Sequence, residues 1–199
     1  PNPTMPLSMI DLPRGSLHRR SDEISQQTHS SSAPSAQPSL SIEWAKHQDQ
    51  VREAQRLRYE VFALEMGARL KEIVSGHDID LFDDFCEHLL VRDQTSGAVV
   101  GTYRVLTPTQ AQRIGSTYSD LEFDLTRLRG YRDRMVELGR SCVHSDHRTG
   151  GVIMALWGAL AAFMVQNKLD VMIGCASIPM LHQGVISGEV AASIWHQVK

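Results

Sequence analysis

Apolar residues recur along this chain with two different periods, and the places where the period changes mark its elements. In residues 39–46, Leu40, Ile42 and Trp44 alternate with polar neighbours, which predicts a short strand. Over residues 48–66 the period lengthens. Val51, Ala54, Leu57, Val61 and Leu64 fall three and four apart, the stripe of an amphipathic helix, and Gly67 ends it. Strands are predicted at residues 88–92 and 98–106, joined as a hairpin by Asp93-Gln94-Thr95-Ser96-Gly97. Residues 118–131 show neither period and read as irregular. Beyond them, residues 135–143 predict a strand, the uncharged run 152–165 a buried helix, 171–177 a strand, and 191–198 the start of another helix. This order predicts an α/β (α+β) layer fold, a mixed and mostly antiparallel sheet flanked by helices. Its last strand-helix-strand step is expected to be a right-handed parallel crossover.

Composition changes the picture at the N-terminus. The first 40 residues hold nine serines, six of the eight prolines and no Phe, Trp or Tyr. Such a segment buries too little apolar surface to offset its ordering entropy, so residues 1–39 are expected to be a disordered Ser/Pro-rich tail and residues 40–199 the folded domain. A piece near residues 9–17 is amphipathic enough to touch a membrane or partner, although a plain linker is the preferred reading. No run reaches the roughly 18 to 20 apolar residues of a membrane span, and the N-terminus lacks the pattern of a signal peptide. Lys+Arg is 20 against Asp+Glu 23, a net charge of -3, which excludes a nucleic-acid binder driven by bulk charge. Three cysteines, Cys86, Cys142 and Cys175, are too far apart for a disulfide framework and suit a reducing, cytoplasmic setting.

Candidate chemistry gathers in one stretch. Glu137-Leu138-Gly139-Arg140-Ser141-Cys142-Val143 is a predicted strand that runs into His144-Ser145-Asp146-His147-Arg148-Thr149-Gly150-Gly151 and then the apolar helix. A Gly-containing loop that opens a helix offers free backbone N–H groups to an anion, and Arg148 adds a fixed cation. A phosphate, such as that of a pantetheine-bearing donor, suits Arg148, Gly150 and Gly151; a plain turn is the competing reading. Glu137 and Arg140 are costly inside an apolar strand unless paired or functional. Period two puts them on opposite faces, so a shared site requires a bulge, and Gly139 is the natural place for it. An internal ion pair is the alternative. The acidic run Asp78-Ile79-Asp80-Leu81-Phe82-Asp83-Asp84 lacks calcium-loop spacing and reads as a solvated surface or a hold for a cationic substrate. No metal site is expected from His144, His147 and Cys142.

Four blocks together resemble a known family. Arg58-Tyr59-Glu60-Val61-Phe62, Asp80-Leu81-Phe82-Asp83, Val100-Gly101-Thr102-Tyr103-Arg104-Val105-Leu106 and Glu137-Leu138-Gly139-Arg140 are similar to the acyl-homoserine-lactone synthases of the GCN5-related N-acyltransferase (GNAT) superfamily. The likeness is closer to the "hemolysin-like" ornithine N-acyltransferases of bacterial ornithine-lipid synthesis, in the blocks at 80–91, 137–143 and 174–180.

The resemblance implies transfer of a fatty or 3-hydroxy fatty acyl group from acyl carrier protein to the α-amino group of L-ornithine, in the cytoplasm or, as the alternative, at the inner face of the bacterial inner membrane. No cofactor is implied beyond the acyl carrier protein or coenzyme A thioester as co-substrate. It implies a splayed sheet with the thioester between residues 135–143 and 171–177. In these roles Glu137 and Arg140 are catalytic. Arg104, Val143, Arg148, Gly150 and Gly151 bind the acyl donor, and Arg58, Asp80 and Asp83 the acceptor. Arg127, Arg129, Arg132 and Arg134 join Arg140 and Arg148 in the densest arginine cluster, where Arg129, Arg132 and Arg134 are expected to face acidic acyl carrier protein. The superfamily normally adds two further strands after the predicted last helix, so the domain is expected to be C-terminally short. The alternatives are an acetyl-coenzyme A enzyme acting on an unknown amine and a non-catalytic carrier-binding remnant.

Overall fold

The computed structural model describes residues 39–70, 73–178, 180–182, 184–186 and 188–198. The predicted tail over 1–39 lies outside them except for Ser39. The alternating runs form strands β1 (Leu40–Trp44), β2 (Glu87–Asp93), β3 (Val99–Leu106) and β4 (Met135–Val143). The first amphipathic stripe forms α1 (Gln48–Tyr59), which continues as a π-helical turn, Glu60–Glu65. After β3, Pro108 and the Thr107 cap start α2 (Pro108–Ile114), which the periodicity did not reveal. A four-residue helix α3 (Ser119–Glu122) and a 3-10 stretch (Thr126–Arg134) occupy the segment expected to be irregular. The apolar run is α4 (Gly151–Gln166), followed by β5 (Val171–Ile173), the short pair β6 (Leu181–His182) and β7 (Val185–Ile186), and α5 (Gly188–Val198).

Five strands pair in the order β1-β2-β3-β4-β5, with every neighbour antiparallel except β4 and β5, which are parallel. Mixed α/β architecture with a mostly antiparallel sheet is what the alternation of periods predicts. Two separate apolar clusters form against the sheet. Val152, Leu156 and Leu160 of α4 are four apart and pack on Leu89, Val91, Val100, Val105, Val136 and Leu138. Leu57 of α1 and Val61 of the π-turn pack on Cys142, with Val99 at the edge. Arg92 donates to Glu43 of β1 and Glu53 of α1, at 2.9 and 2.7 Å, and ties that helix to the sheet edge. Among the described residues, no helix is long and apolar enough to cross a membrane.

Strand β5 is shorter than predicted. Its pairing with β4 covers Met135↔Val171, Val136↔Met172 and Glu137↔Ile173, and then stops, while β4 runs on to Val143. At the divergence, a Cβ on Gly174 would stand 2.7 Å from the Leu138 carbonyl oxygen, so only glycine lets the two chains pass this closely.

Glycine spacing yields a stability test. A Cβ on Gly101 would collide with Val152 Cγ1 beneath α4, whereas one on Gly158, on the exposed side of α4, meets nothing within 4 Å. Urea denaturation is expected to show Gly101→Ala losing about 1–3 kcal/mol from overpacking. Gly158→Ala is expected to gain about 0.5–1 kcal/mol from helix propensity.

Candidate active site

Strand β4 carries the irregularity on which the site is built. Its register against β3 shifts between Thr102↔Cys142 and Arg104↔Gly139, so Arg140 and Ser141 stand opposite Tyr103 alone. Arg140 has φ 51°, left-handed backbone that a non-glycine residue holds only when its surroundings enforce it. This is the expected bulge, one residue beyond Gly139. Its effect is visible in the packing. Leu138 and Cys142 are four apart, which a regular strand would put on one face, yet Leu138 faces the α4 cluster and Cys142 the α1 cluster. By the same device Glu137 and Arg140 line one cavity of about 110 Å³, together with Arg104, Tyr118 and Cys86.

What enforces Arg140 is a closed ring of alternating charge. Arg58 pairs with Asp78 at 3.0 Å, Asp78 with Arg140 at 3.2 Å, and Arg140 with Asp80 at 3.2 Å. Asp80 then pairs with Arg104 at 2.5 Å, Arg104 with Asp83 at 3.0 Å, and Asp83 with Arg58 at 2.7 Å. Gln55 donates to Asp83 as well, and Arg58 to the Asp78 carbonyl oxygen. Burial alone would raise the Asp83 carboxyl, but the Arg58 and Arg104 guanidiniums hold it well below the usual carboxylate range. Burial lowers the His88 imidazole, and its Nε2, 3.0 Å from the Asp83 carbonyl oxygen, anchors the same turn.

Two acceptor assignments are corrected by this ring. Arg58 is 0% and Asp83 4% exposed, and each spends its charge on ring partners, so neither can touch a substrate. Asp80, with a side-chain exposure of 22%, is the most exposed carboxylate of the ring, and it too is paired with two arginines, Arg104 and Arg140. The acidic run is therefore a counter-ion for three arginines, and its charge is matched internally. Within the arginine cluster, Arg132 pairs with Asp120 at 2.5 Å, the exposed Arg134 with Asp170, Arg140 with the ring and Arg148 with Glu65, while Arg127 and Arg129 are exposed.

Glu137 is in no ion pair with Arg140. It is 6% exposed, and its two carboxylate oxygens accept the backbone N–H groups of Ser119, at 2.6 Å, and Tyr118, at 2.7 Å. These donors come from the segment read as irregular. The signal for it was Thr117-Tyr118-Ser119-Asp120, a reciprocal cap in which Thr117 N–H reaches Asp120 and Asp120 N–H reaches Thr117 Oγ1, at 2.9 and 3.2 Å. Tyr118 and Cys175, which also line the cavity, had no sequence signal. Burial pushes the Cys86 thiol up to about 12, so this cavity cysteine stays protonated and is no nucleophile.

Gly139, Arg140 and Cys175 also line a second, larger groove of about 740 Å³ between the diverging ends of β4 and β5. Its walls include Phe62, Met66, Tyr103, Trp157 and Met172, so it is predominantly apolar. Val143 sits opposite Gly101, while its neighbour His144 donates to Val100. Ladder alternation therefore turns the Val143 N–H and C=O away from β3, toward the side that β5 has left, and the Val143 carbonyl accepts from Arg148 Nε at 3.0 Å. Beyond it, Gly150, with φ 98°, caps α4, and Gly151 is the helix's first residue. Ser141, Arg148 and Gly150 line a third hollow there, of about 310 Å³. A buried carboxylate, an apolar groove and a helix N-terminus thus lie in succession along one strand.

A profile of the acetyltransferase (GNAT) domain matches residues 57–158, half of the chain. The chain belongs to this GNAT family. GNAT relatives extend the match. The L-ornithine N(alpha)-acyltransferase of Rhodobacter capsulatus is 40% identical over 146 residues, 70% of this chain and 56% of that protein. The Rhizobium meliloti protein of the same name is 36% identical over 164 residues, 78% of this chain and 54% of its own. The chain spans about half the length of these curated relatives. Among solved structures, the acyl-homoserine lactone synthase LasI superposes with TM-score 0.50 at 20% identity, over 69% of this chain and 72% of its own. BjaI, a coenzyme A-dependent acyl-homoserine lactone synthase, gives 0.51 at 21%, over 67% and 65%. These two bear on the GNAT fold alone.

The ring makes a prediction for stability. Asp83→Asn leaves two buried arginines short of a counter-ion and is expected to cost about 3–5 kcal/mol in urea denaturation. A carboxylate with a depressed folded value contributes stability above its unfolded pKa of about 3.9 and loses it as pH falls toward the folded value. Stability of the parent chain should therefore drop below about pH 4, and that drop should be shallower in Asp83→Asn.

Proposed function

We propose that this domain transfers a fatty acyl group from acyl carrier protein to the α-amino group of L-ornithine, the first step of an ornithine lipid. The observation that carries the reading is the placement of a buried carboxylate, Glu137, beside a large apolar groove opened where β4 and β5 diverge. The groove suits an acyl chain, being within the roughly 300–1,000 Å³ usual for ligand sites. Relatives at 36–40% identity carry the name of this activity, which supports ornithine as acceptor.

In this mechanism the pantetheine phosphate sits at the N-terminus of α4 near Arg148, Gly150 and Gly151, where free N–H groups and the helix dipole favour an anion. The acyl chain lies in the groove. Glu137, directly or through a water, takes a proton from the α-ammonium of ornithine, because a protonated amine has no lone pair to attack with. The amine nitrogen attacks the thioester carbonyl and an N–C bond forms. The Val143 N–H donates to the oxygen as it gains charge. The C–S bond then breaks, the proton held on Glu137 passes to the departing thiolate, and the new amide nitrogen gives up its second proton to the freed Glu137 or to water. Arg140 and Arg104, fixed by the ring, set the electrostatics of the cavity, and Asp80 receives the cationic end of ornithine. Arg127 and Arg129 meet the acidic carrier. The product is an acylated amino acid, so peripheral contact with the inner face of the membrane belongs to the proposal.

Turnover of acylated carrier protein and ornithine tests it. Glu137→Gln is expected to lower kcat by about 10²–10⁴ with little change in the Michaelis constant for the carrier. Full turnover in Glu137→Gln, or turnover with acetyl-coenzyme A and none with the carrier thioester, would contradict the reading. Charge reversal at Arg127 and Arg129 should raise the carrier's Michaelis constant and leave that of ornithine unchanged.

A further inference from the structure

Arg148 is the cation of the proposed phosphate site, and its guanidinium is already engaged. Its terminal nitrogens donate to the two oxygens of Glu65, at 2.5 and 2.7 Å, in fork-to-fork geometry, while its Nε donates to Val143. A phosphate would ask the same pair of N–H groups for the same geometry. The Arg148 hydrogen bond holds the Glu65 carboxyl below its usual range, so Glu65 is an anion at neutral pH. Both side chains are near 40% exposed, 43% for Arg148 and 42% for Glu65, so their pairing is weak enough to be exchanged.

Glu65 also has a second connection. It is the last residue of the π-helical turn Glu60–Glu65, a conformation common at functional sites. Phe62 in that turn and Met66 just after it form one wall of the apolar groove. The turn's first residue, Glu60, lies 3.3 Å from His144 Nε2 on the same loop that carries Arg148. One short turn is thus fastened to the anion loop at both ends and presents its middle to the groove.

We infer that Glu65 is a positioning residue that competes with the donor's phosphate for Arg148, so that donor binding exchanges carboxylate for phosphate and frees the turn that walls the groove. This rests on the proposed phosphopantetheine donor. Calorimetric titration with 4′-phosphopantetheine, and with unphosphorylated pantetheine as control, tests it on the whole chain. Both Glu65→Gln and Glu65→Ala should bind phosphopantetheine about two- to fivefold tighter and pantetheine unchanged. The gain should vanish in an Arg148→Gln background. It should be much smaller for Glu60→Gln, which makes the same charge change on the same turn without touching Arg148. If the parent chain prefers phosphopantetheine but the Glu65 variants bind it equally or more weakly, Glu65 is a support for Arg148 and the inference fails while the donor reading stands. A gain that persists without Arg148, or is matched by Glu60→Gln, reduces the effect to bulk charge and also overturns it. If the parent and the Glu65 variants all bind pantetheine as well as phosphopantetheine, the donor reading and the inference fall together.

Discussion

Six side chains from α1, the loop before β2, β3 and β4 close a ring in which every cation touches two anions and every anion two cations. Removing a single charge from water costs several kcal/mol, and one partner seldom repays it. A balanced ring of three and three gives each group two partners, so the cluster can be buried without leaving any charge exposed to low dielectric alone. The consequence is rigidity where the backbone needs it. Arg140 occupies left-handed space that costs roughly 1–2 kcal/mol for an ordinary residue, and its two ring partners hold it there.

The ring and the bulge are two views of one constraint. An extra residue in β4 inverts the strand's facing, so that Glu137, Arg140 and Cys142 serve the α1 side while Leu138 stays with α4. Without it, the carboxylate and the guanidinium would be separated by the thickness of the sheet. With it, Glu137 and Arg140 line one cavity, and Gly139, Arg140 and Ser141 continue the strand along the wall of the groove. Parallel pairing with β5 lasts only three residues because β5 has to leave for the groove to exist, and Gly174 is the point of closest approach before it does.

Charge in this molecule is spent mostly on itself. Asp78, Asp80 and Asp83 look in isolation like a reception site for a cation, and the arginines of 127–148 like a reception site for an anion. In the folded chain nearly all of them answer one another. The exceptions are few: Glu137 is held by backbone N–H groups and by no arginine of the ring, and Arg127 and Arg129 stand exposed.

Periodicity and turn chemistry alone determined the five strands of the sheet with its β2–β3 hairpin, α1 and the apolar α4, and marked the stretch 137–151 as candidate chemistry; they did not reveal α2, α3 or the β6–β7 pair. These are local properties, written in side-chain spacing of two or three and a half residues, and a charged residue in an apolar strand announces itself. The need for a bulge was legible too, because Glu137 and Arg140 could share a site in no other way. Only the tertiary structure decided that Arg58 and Asp83 are buried partners and not acceptor contacts, that Glu137 is held by the N–H groups of Tyr118 and Ser119, and that Arg148 rests on Glu65. Those facts depend on which residues distant in sequence meet. A charge looks the same in sequence whether its counter-ion is a substrate or another side chain, and only the packing of four segments around one point distinguishes the two.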